Sequence, residues 1–257
     1  PLAADDPLLS MENVLLTPHI AGTTVDAIPR APFMLMREVD RFVTDGATGR
    51  VVNAAQLGLA YQTQKGKIFM LLQEERELIV EYGRAMIERG LTAGTFGNLS
   101  VYNEKENLFA ISPSGMDYFK TGPEDVVVMT LDGEKVEGDR KPSSEVDMHR
   151  IFYQKRPGIH AVVHTHPRYA TTLACLGWSI PPLHYLVAYS GREVPCTPYV
   201  QFGTYDLAQA AYETMGDNYA VILGNHGLLC CGSTMSYTMD VSEQIEFCAQ
   251  LYYNCRA

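Results

Sequence analysis

The stretch Ala161-Val162-Val163-His164-Thr165-His166-Pro167 constrains the fold more than any other part of the chain. An apolar, β-branched run of this length predicts a strand buried on both faces, which requires a sheet with cover on each side. Because side chains on a strand repeat every two residues, His164 and His166 leave it on the same side, and Pro167 closes it. Two imidazoles on one stiff element are half of a metal site; taken by themselves, they fit hydrogen-bonded core histidines equally well. Two other residues bear on the choice: Glu145 just upstream, and His226 far downstream after the apolar run Ala220 to Leu223.

Three histidines are the usual protein share of a catalytic zinc site, which keeps one coordination position open, whereas closed structural sites recruit cysteine. His164, His166 and His226 fit that count, each binding as the neutral base. The glycines beside His226 permit a tight turn that aims its ring back at the strand; a turn histidine bonded to a backbone carbonyl is the other reading of the same residue. Glu145 follows Ser143 and Ser144 at a predicted helix start, where the helix dipole favours a carboxylate. Near a metal the same group can ligate the ion and act as a base. The two serines and the helix start offer hydroxyls and N–H groups to a phosphate. The small-residue turns Gly94 to Asn98 and Ser112 to Gly115 are further candidates, and read equally as ordinary turns.

Periodicity supplies the surrounding elements. Helices are predicted over 73–89, 169–176, 204–215 and 234–255, with another beginning at the serines before Glu145. Strands are predicted at 99–102, 108–111, 126–131, 135–137, 161–165, 220–223 and 228–231, with a short one around Val194-Pro195-Cys196. Asp132-Gly133 signals a two-residue hairpin. Strands joined by both hairpins and helices predict an α/β protein, a three-layer α/β/α sandwich with a mixed, largely antiparallel sheet. A polar junction at 61–66 separates residues 1–60, an extension of different character, from a domain over 61–257.

The formal net charge of -10 argues against nucleic acid or an anionic membrane as partner. No apolar run approaches the roughly 20 residues of a membrane helix, and a basic-then-apolar leader pattern is lacking, so a cytoplasmic setting is expected. The six cysteines show no Cys-x-x-Cys spacing and suit reduced, buried thiols.

Several ordered motifs carry a resemblance. Gly94-Thr95-Phe96-Gly97-Asn98-Leu99-Ser100, Ser112-Pro113-Ser114-Gly115, Lys141-Pro142-Ser143-Ser144-Glu145, Ala161 to His166, Ile180-Pro181-Pro182-Leu183-His184-Tyr185 and Asn225-His226-Gly227-Leu228 resemble the class II aldolase/adducin family, in particular its fuculose-phosphate aldolase branch. The resemblance implies a Zn2+ ion, with Mn2+ or Co2+ as alternatives, held by His164, His166, His226 and Glu145. It implies Glu145 as catalytic acid/base, Tyr185 as a proton donor, and Asn98, Ser114, Gly115, Ser143 and Ser144 around the substrate phosphate. The reaction it implies is aldol cleavage of a phosphorylated ketose to dihydroxyacetone phosphate and an aldehyde through a metal-stabilised enediolate, in a homotetramer with sites between subunits. Decarboxylation of a keto-acid phosphate, epimerisation or dehydration would use the same metal site, and a non-catalytic adducin-like module is the alternative from another class. Residues 1–60 resemble the carboxyl-terminal end of D-isomer-specific 2-hydroxyacid dehydrogenases through Asp5 to Leu9, Asn13 to Ala21 and Val51-Val52-Asn53, with His19 in the catalytic position. The chain has no Gly-x-Gly-x-x-Gly turn for a nicotinamide cofactor.

Overall fold

The computed structural model describes residues 70–256; the segment 1–60 with His19, and the whole 61–66 junction, lie outside the described residues. Among these, seven strands form one sheet: β1 (Asn98–Asn103), β2 (Leu108–Ile111), β3 (Val127–Thr130), β4 (Lys135–Glu137), β5 (Ala161–Thr165), β6 (Ala220–Leu223) and β7 (Gly227–Gly232), in the order β4-β3-β2-β1-β5-β7-β6. The ladders are antiparallel, and one isolated parallel bridge, Cys196 to Ile222, makes the sheet mixed near its β6 edge. The predicted strand around Val194 is reduced to such isolated bridges, because Pro195 has no N–H to continue a ladder.

β5 is buried at every residue and lies inside the sheet, between β1 and β7. Alternation along it feeds two cores. Val162, with Phe109, Ile111, Val221 and Leu229, packs under helices α2 (Val146–Lys155) and α4 (Tyr205–Met215). On the opposite face Ala161 and Val163 join α1 (Gln73–Glu88), while Leu228 and Cys230 meet α3 (Arg168–Leu176) and α5 (Met235–Arg256). The result is the expected three-layer sandwich with helices on both faces.

Two local expectations are corrected. Asp132-Gly133 does not form a two-residue hairpin: Thr130 N donates to Glu134 O, which encloses Leu131 as well, and the β3–β4 register slips by a bulge at Val128/Met129. The helix at the serines starts later than predicted, at Val146, with Glu145 as its capping position. Ser143 is held instead in a bridge between Pro142 and Pro113, and its Oγ accepts from Glu145 N at 3.2 Å. Serine competes for local backbone bonds in this way and delays the helix start to Val146.

Helix α2 carries Glu145 at its mouth and buries Met148, Ile151 and Phe152 against the sheet. Phe152→Ala should remove about 3–5 kcal/mol of unfolding free energy, the usual cost of emptying a buried aromatic site, read as a lower urea midpoint.

Candidate active site

Strand register places the site. Asn98 pairs with His164, and His164 pairs with Leu229, so β1, β5 and β7 bring their ends to one edge of the sheet. His164 shares a face with Val162, the face covered by α2, and Glu145 sits at the start of that helix. His166 follows β5, and His226 precedes β7 in the turn after β6.

The three imidazoles converge, with one ligand nitrogen of each within 4.8 Å of the others. Ring centroids lie 4.6 Å apart for His164 and His166, 4.7 Å for His164 and His226, and 5.1 Å for His166 and His226. His164 Nδ1 is 3.0 Å from Leu228 O, and since a carbonyl only accepts, that nitrogen carries the hydrogen and Nε2 presents its lone pair to the cluster. Glu145 spans the group: Oε2 is 3.4 Å from His164 Nε2, and Oε1 is 3.4 Å from His226 Nε2. Phe96 stacks on the outer face of His166 at 5.8 Å. On its open side His166 borders a cleft of about 420 Å³ with Thr92, Arg168, Thr171 and Cys175.

Two glycines make the convergence possible by absence of a side chain. A Cβ on Gly227 would stand 2.5 Å from Thr165 O, 2.8 Å from His166 Cδ2 and 3.3 Å from His164 Cε1. A Cβ on Gly97 would meet His164 O at 2.7 Å. The left-handed residue in the His226 turn is Asn225, φ 54°, so the neighbouring glycines serve close approach rather than turn conformation.

Burial keeps these imidazoles neutral. His164 is fully buried, and desolvation, followed by His166 and His226, holds its pKa well below the ordinary value. Desolvation lowers His166, with His226 adding, and lowers His226, while Glu145 opposes both shifts. Among the described residues Glu145 Oε1 and His226 Nδ1 are buried without a hydrogen-bond partner. An orphaned carboxylate oxygen facing neutral nitrogen lone pairs costs free energy unless a cation completes it. Three nitrogens and one oxygen are the donor set of a catalytic zinc site, so these residues fit a divalent ion.

The remaining predicted residues fall in three places. Ser143 and Ser144 lie beside Ser114 and Gly115, because Ser114 N donates to Lys141 O and Ser143 N to Ser112 O across the Pro113–Pro142 bridge. Ser114, Gly115 and Ser144 are exposed there, next to the Glu145 end of the site. Asn98 is turned inward, with Nδ2 donating to Glu145 Oε2 at 2.9 Å and Oδ1 bonded to His149 Nε2. Tyr185 sits on the 3-10 segment Tyr185–Tyr189, 78% exposed, with its ring against His184 at 4.5 Å. The sequence reading missed His149, although its place four residues after Glu145 on one helix face was a usable signal.

The family described as Class II Aldolase and Adducin N-terminal domain matches residues 77–253. A 5-deoxy-D-ribulose 1-phosphate aldolase of Bacillus thuringiensis serovar kurstaki is 55% identical over 188 residues, 73% of this chain and 88% of that protein. A 5-methylthioribulose-1-phosphate/5-deoxyribulose-1-phosphate aldolase of Rhodospirillum rubrum is 36% identical, covering 70% of this chain and 80% of its own length. The solved structure of an L-fuculose 1-phosphate aldolase superposes with a TM-score of 0.71 at 41% identity, over 73% of this chain and 88% of that one.

Two outcomes follow from the packing. Gly227→Ala should weaken divalent-metal binding at least about tenfold while the fold persists, measured by competition with a chromophoric chelator. The buried histidines are neutral when folded and take protons when unfolded, so metal-stripped protein should lose stability as pH falls below about 6.5, by about 1.4 kcal/mol per unit for each fully buried ring. The loss continues toward about 3, where His149 itself titrates, and urea midpoints at pH 7.5, 6 and 5 measure it.

Proposed function

The chain belongs to the class II aldolase and adducin family and is an aldolase-type carbon–carbon lyase; we propose that it reversibly cleaves a phosphorylated ketose to dihydroxyacetone phosphate and a short aldehyde. The observation that carries this reading is the meeting of Glu145 with His164, His166 and His226 at one buried point. The relatives that match act, by their names, on 5-deoxyribulose 1-phosphate and fuculose phosphate, which makes 5-deoxyribulose 1-phosphate the first substrate to try.

In this reading His164, His166, His226 and Glu145 hold the divalent ion, zinc by preference for this donor set, with Mn2+ or Co2+ as alternatives. The ion supplies Lewis acidity for the negative charge that develops on the enediolate oxygens as the carbon–carbon bond breaks. Glu145 has two duties in turn: at rest its Oε1, with no protein donor of its own, would complete the ion's shell, and once substrate displaces it the same oxygen returns a proton to the triose carbon in cleavage and removes it in the reverse direction. The phosphate is bound by Ser114, Gly115, Ser143 and Ser144, with Asn98 beneath them; three of these positions are exposed on the stapled turns. The burial of Glu145 limits water at the reacting carbon.

Tyr185 handles the proton on the aldehyde oxygen, from a neighbouring copy. Its exposure, together with that of Tyr199, Phe202 and Phe96, supports association, and a homotetramer with sites between subunits accommodates it. The described cysteines are free thiols, and no described helix is long and apolar enough to cross a membrane; a cytoplasmic setting agrees with both.

The test is a metal-replete assay of 5-deoxyribulose 1-phosphate, fuculose 1-phosphate and a keto-acid phosphate, reading dihydroxyacetone phosphate and carbon dioxide together. Triose release supports the aldolase; carbon dioxide without triose overturns it in favour of a decarboxylase. Glu145→Gln should lower kcat by about 100- to 10,000-fold, the typical contribution of a positioned acid/base, and abolish solvent exchange of the α proton of dihydroxyacetone phosphate.

A further inference from the structure

Behind Glu145 a column of polar side chains runs into the core: Asn98, His149, Ser100 and Tyr153, all buried. Its spacing comes from two matched periods. Glu145, His149 and Tyr153 succeed one another at four-residue steps on α2, each rising about 6 Å. Asn98 and Ser100 are two apart on β1, a step of about 6.6 Å. The two rows therefore interleave, Asn98 between Glu145 and His149, and Ser100 between His149 and Tyr153.

The chemistry of each atom then fixes every hydrogen. Glu145 Oε2 only accepts, so the Asn98 atom 2.9 Å from it is the amide nitrogen. Asn98 Oδ1 consequently faces His149 Nε2, which must carry a hydrogen to donate to it. Burial, with a smaller push from His164, takes the His149 pKa down to about 3, so the ring is neutral and Nδ1 is bare. Ser100 therefore donates its hydroxyl hydrogen to Nδ1 across 2.7 Å, and its oxygen accepts from Tyr153 OH at 2.5 Å. Four donors point in one direction, toward the carboxylate, so their dipoles add there. The far end is closed: Tyr153 stacks on Tyr102 at 5.2 Å and tilts against Phe109 at 5.6 Å. The column is a fixed prop.

We propose that His149 is a positioning residue for the reaction: locked as the Nε2–H tautomer by Ser100, it sets the amide of Asn98 and, through it, the rotation of the Glu145 carboxylate. The proposal rests on Glu145 being the proton carrier. With Oε2 engaged by Asn98, Oε1 is the oxygen left toward His226 and the substrate. An Asn98 free to flip its amide would present an oxygen to the carboxylate and turn it away from the reacting carbon.

Two measurements test this at separate levels. Nitrogen-15 spectra of the histidine-labelled protein, with His149 assigned by its disappearance in His149→Gln, should show a neutral ring protonated at Nε2 at pH 7.5. In Ser100→Ala the ring should become a mixture of tautomers. A ring protonated at Nδ1, or an imidazolium, in the unsubstituted protein overturns the proposal, and this result needs neither a folded leucine variant nor any activity. In kinetics, His149→Leu should lower kcat by about 10- to 100-fold with KM and bound metal changed by less than about twofold. His149→Gln, whose amide N–H stands close to the lost Nε2–H, should recover most of it. Equal losses in both variants, or a loss confined to KM or metal content, overturn it. If the unsubstituted protein cleaves no sugar phosphate, the proposed function fails, while the spectra still decide the tautomer.

Discussion

The pairing of β5 with β1 on one side and β7 on the other is the constraint from which the site follows. Register sets Asn98 against His164 and His164 against Leu229, so three strand ends reach the same edge on the same face. Sliding β1 or β7 by one residue would turn Asn98 away or move the carbonyl of Leu228 that holds the His164 tautomer. Gly97 and Gly227 allow that pairing to persist up to the histidines, since any side chain at either would strike the backbone of β5. The close approach that makes a sheet edge into a cation pocket is therefore written into two residues with no chemistry of their own.

Electrostatics completes the design at a cost to stability. Neutral imidazoles packed with a buried carboxylate are poor core material, because each loses water and two polar atoms, Glu145 Oε1 and His226 Nδ1, gain no protein partner in return. The surrounding cores offset that cost: valine and leucine residues of the inner strands are fully buried on both faces of the sheet. Rigidity follows from the same arrangement. Glu145 is tied to α2 by the backbone and to β1 by Asn98, so the helix and the strand share control of one carboxylate. A site whose parts are held from two layers of a sandwich is well suited to moving a proton over a short, fixed distance.

Much of this was legible in the residues. The buried strand ending in His-Thr-His, the distant His226 and the Ser-Ser-Glu helix start were read as one metal constellation, and the structure brings their side chains together. The alternation of periods two and 3.6 located every strand of the sheet and the five α-helices among the described residues to within a few residues. The misses have local causes. Asp132-Gly133 reads as a tight hairpin, but the bulge in β3 changes the register around it. Ser143 reads as a helix cap, but its backbone is claimed by the bridge to the Ser112 turn.

By itself the sequence determined which side chains exist to do chemistry and which elements carry them, because strand and helix periods depend on neighbours along the chain. It could not assign Asn98 to the carboxylate or to His149. Nothing local pairs a residue of β1 with one of α2, forty-seven positions away in the case of Asn98 and Glu145. Only the layering of helix on sheet, with a helical step of four residues matching a strand step of two, decided that these atoms meet and in which direction each hydrogen points.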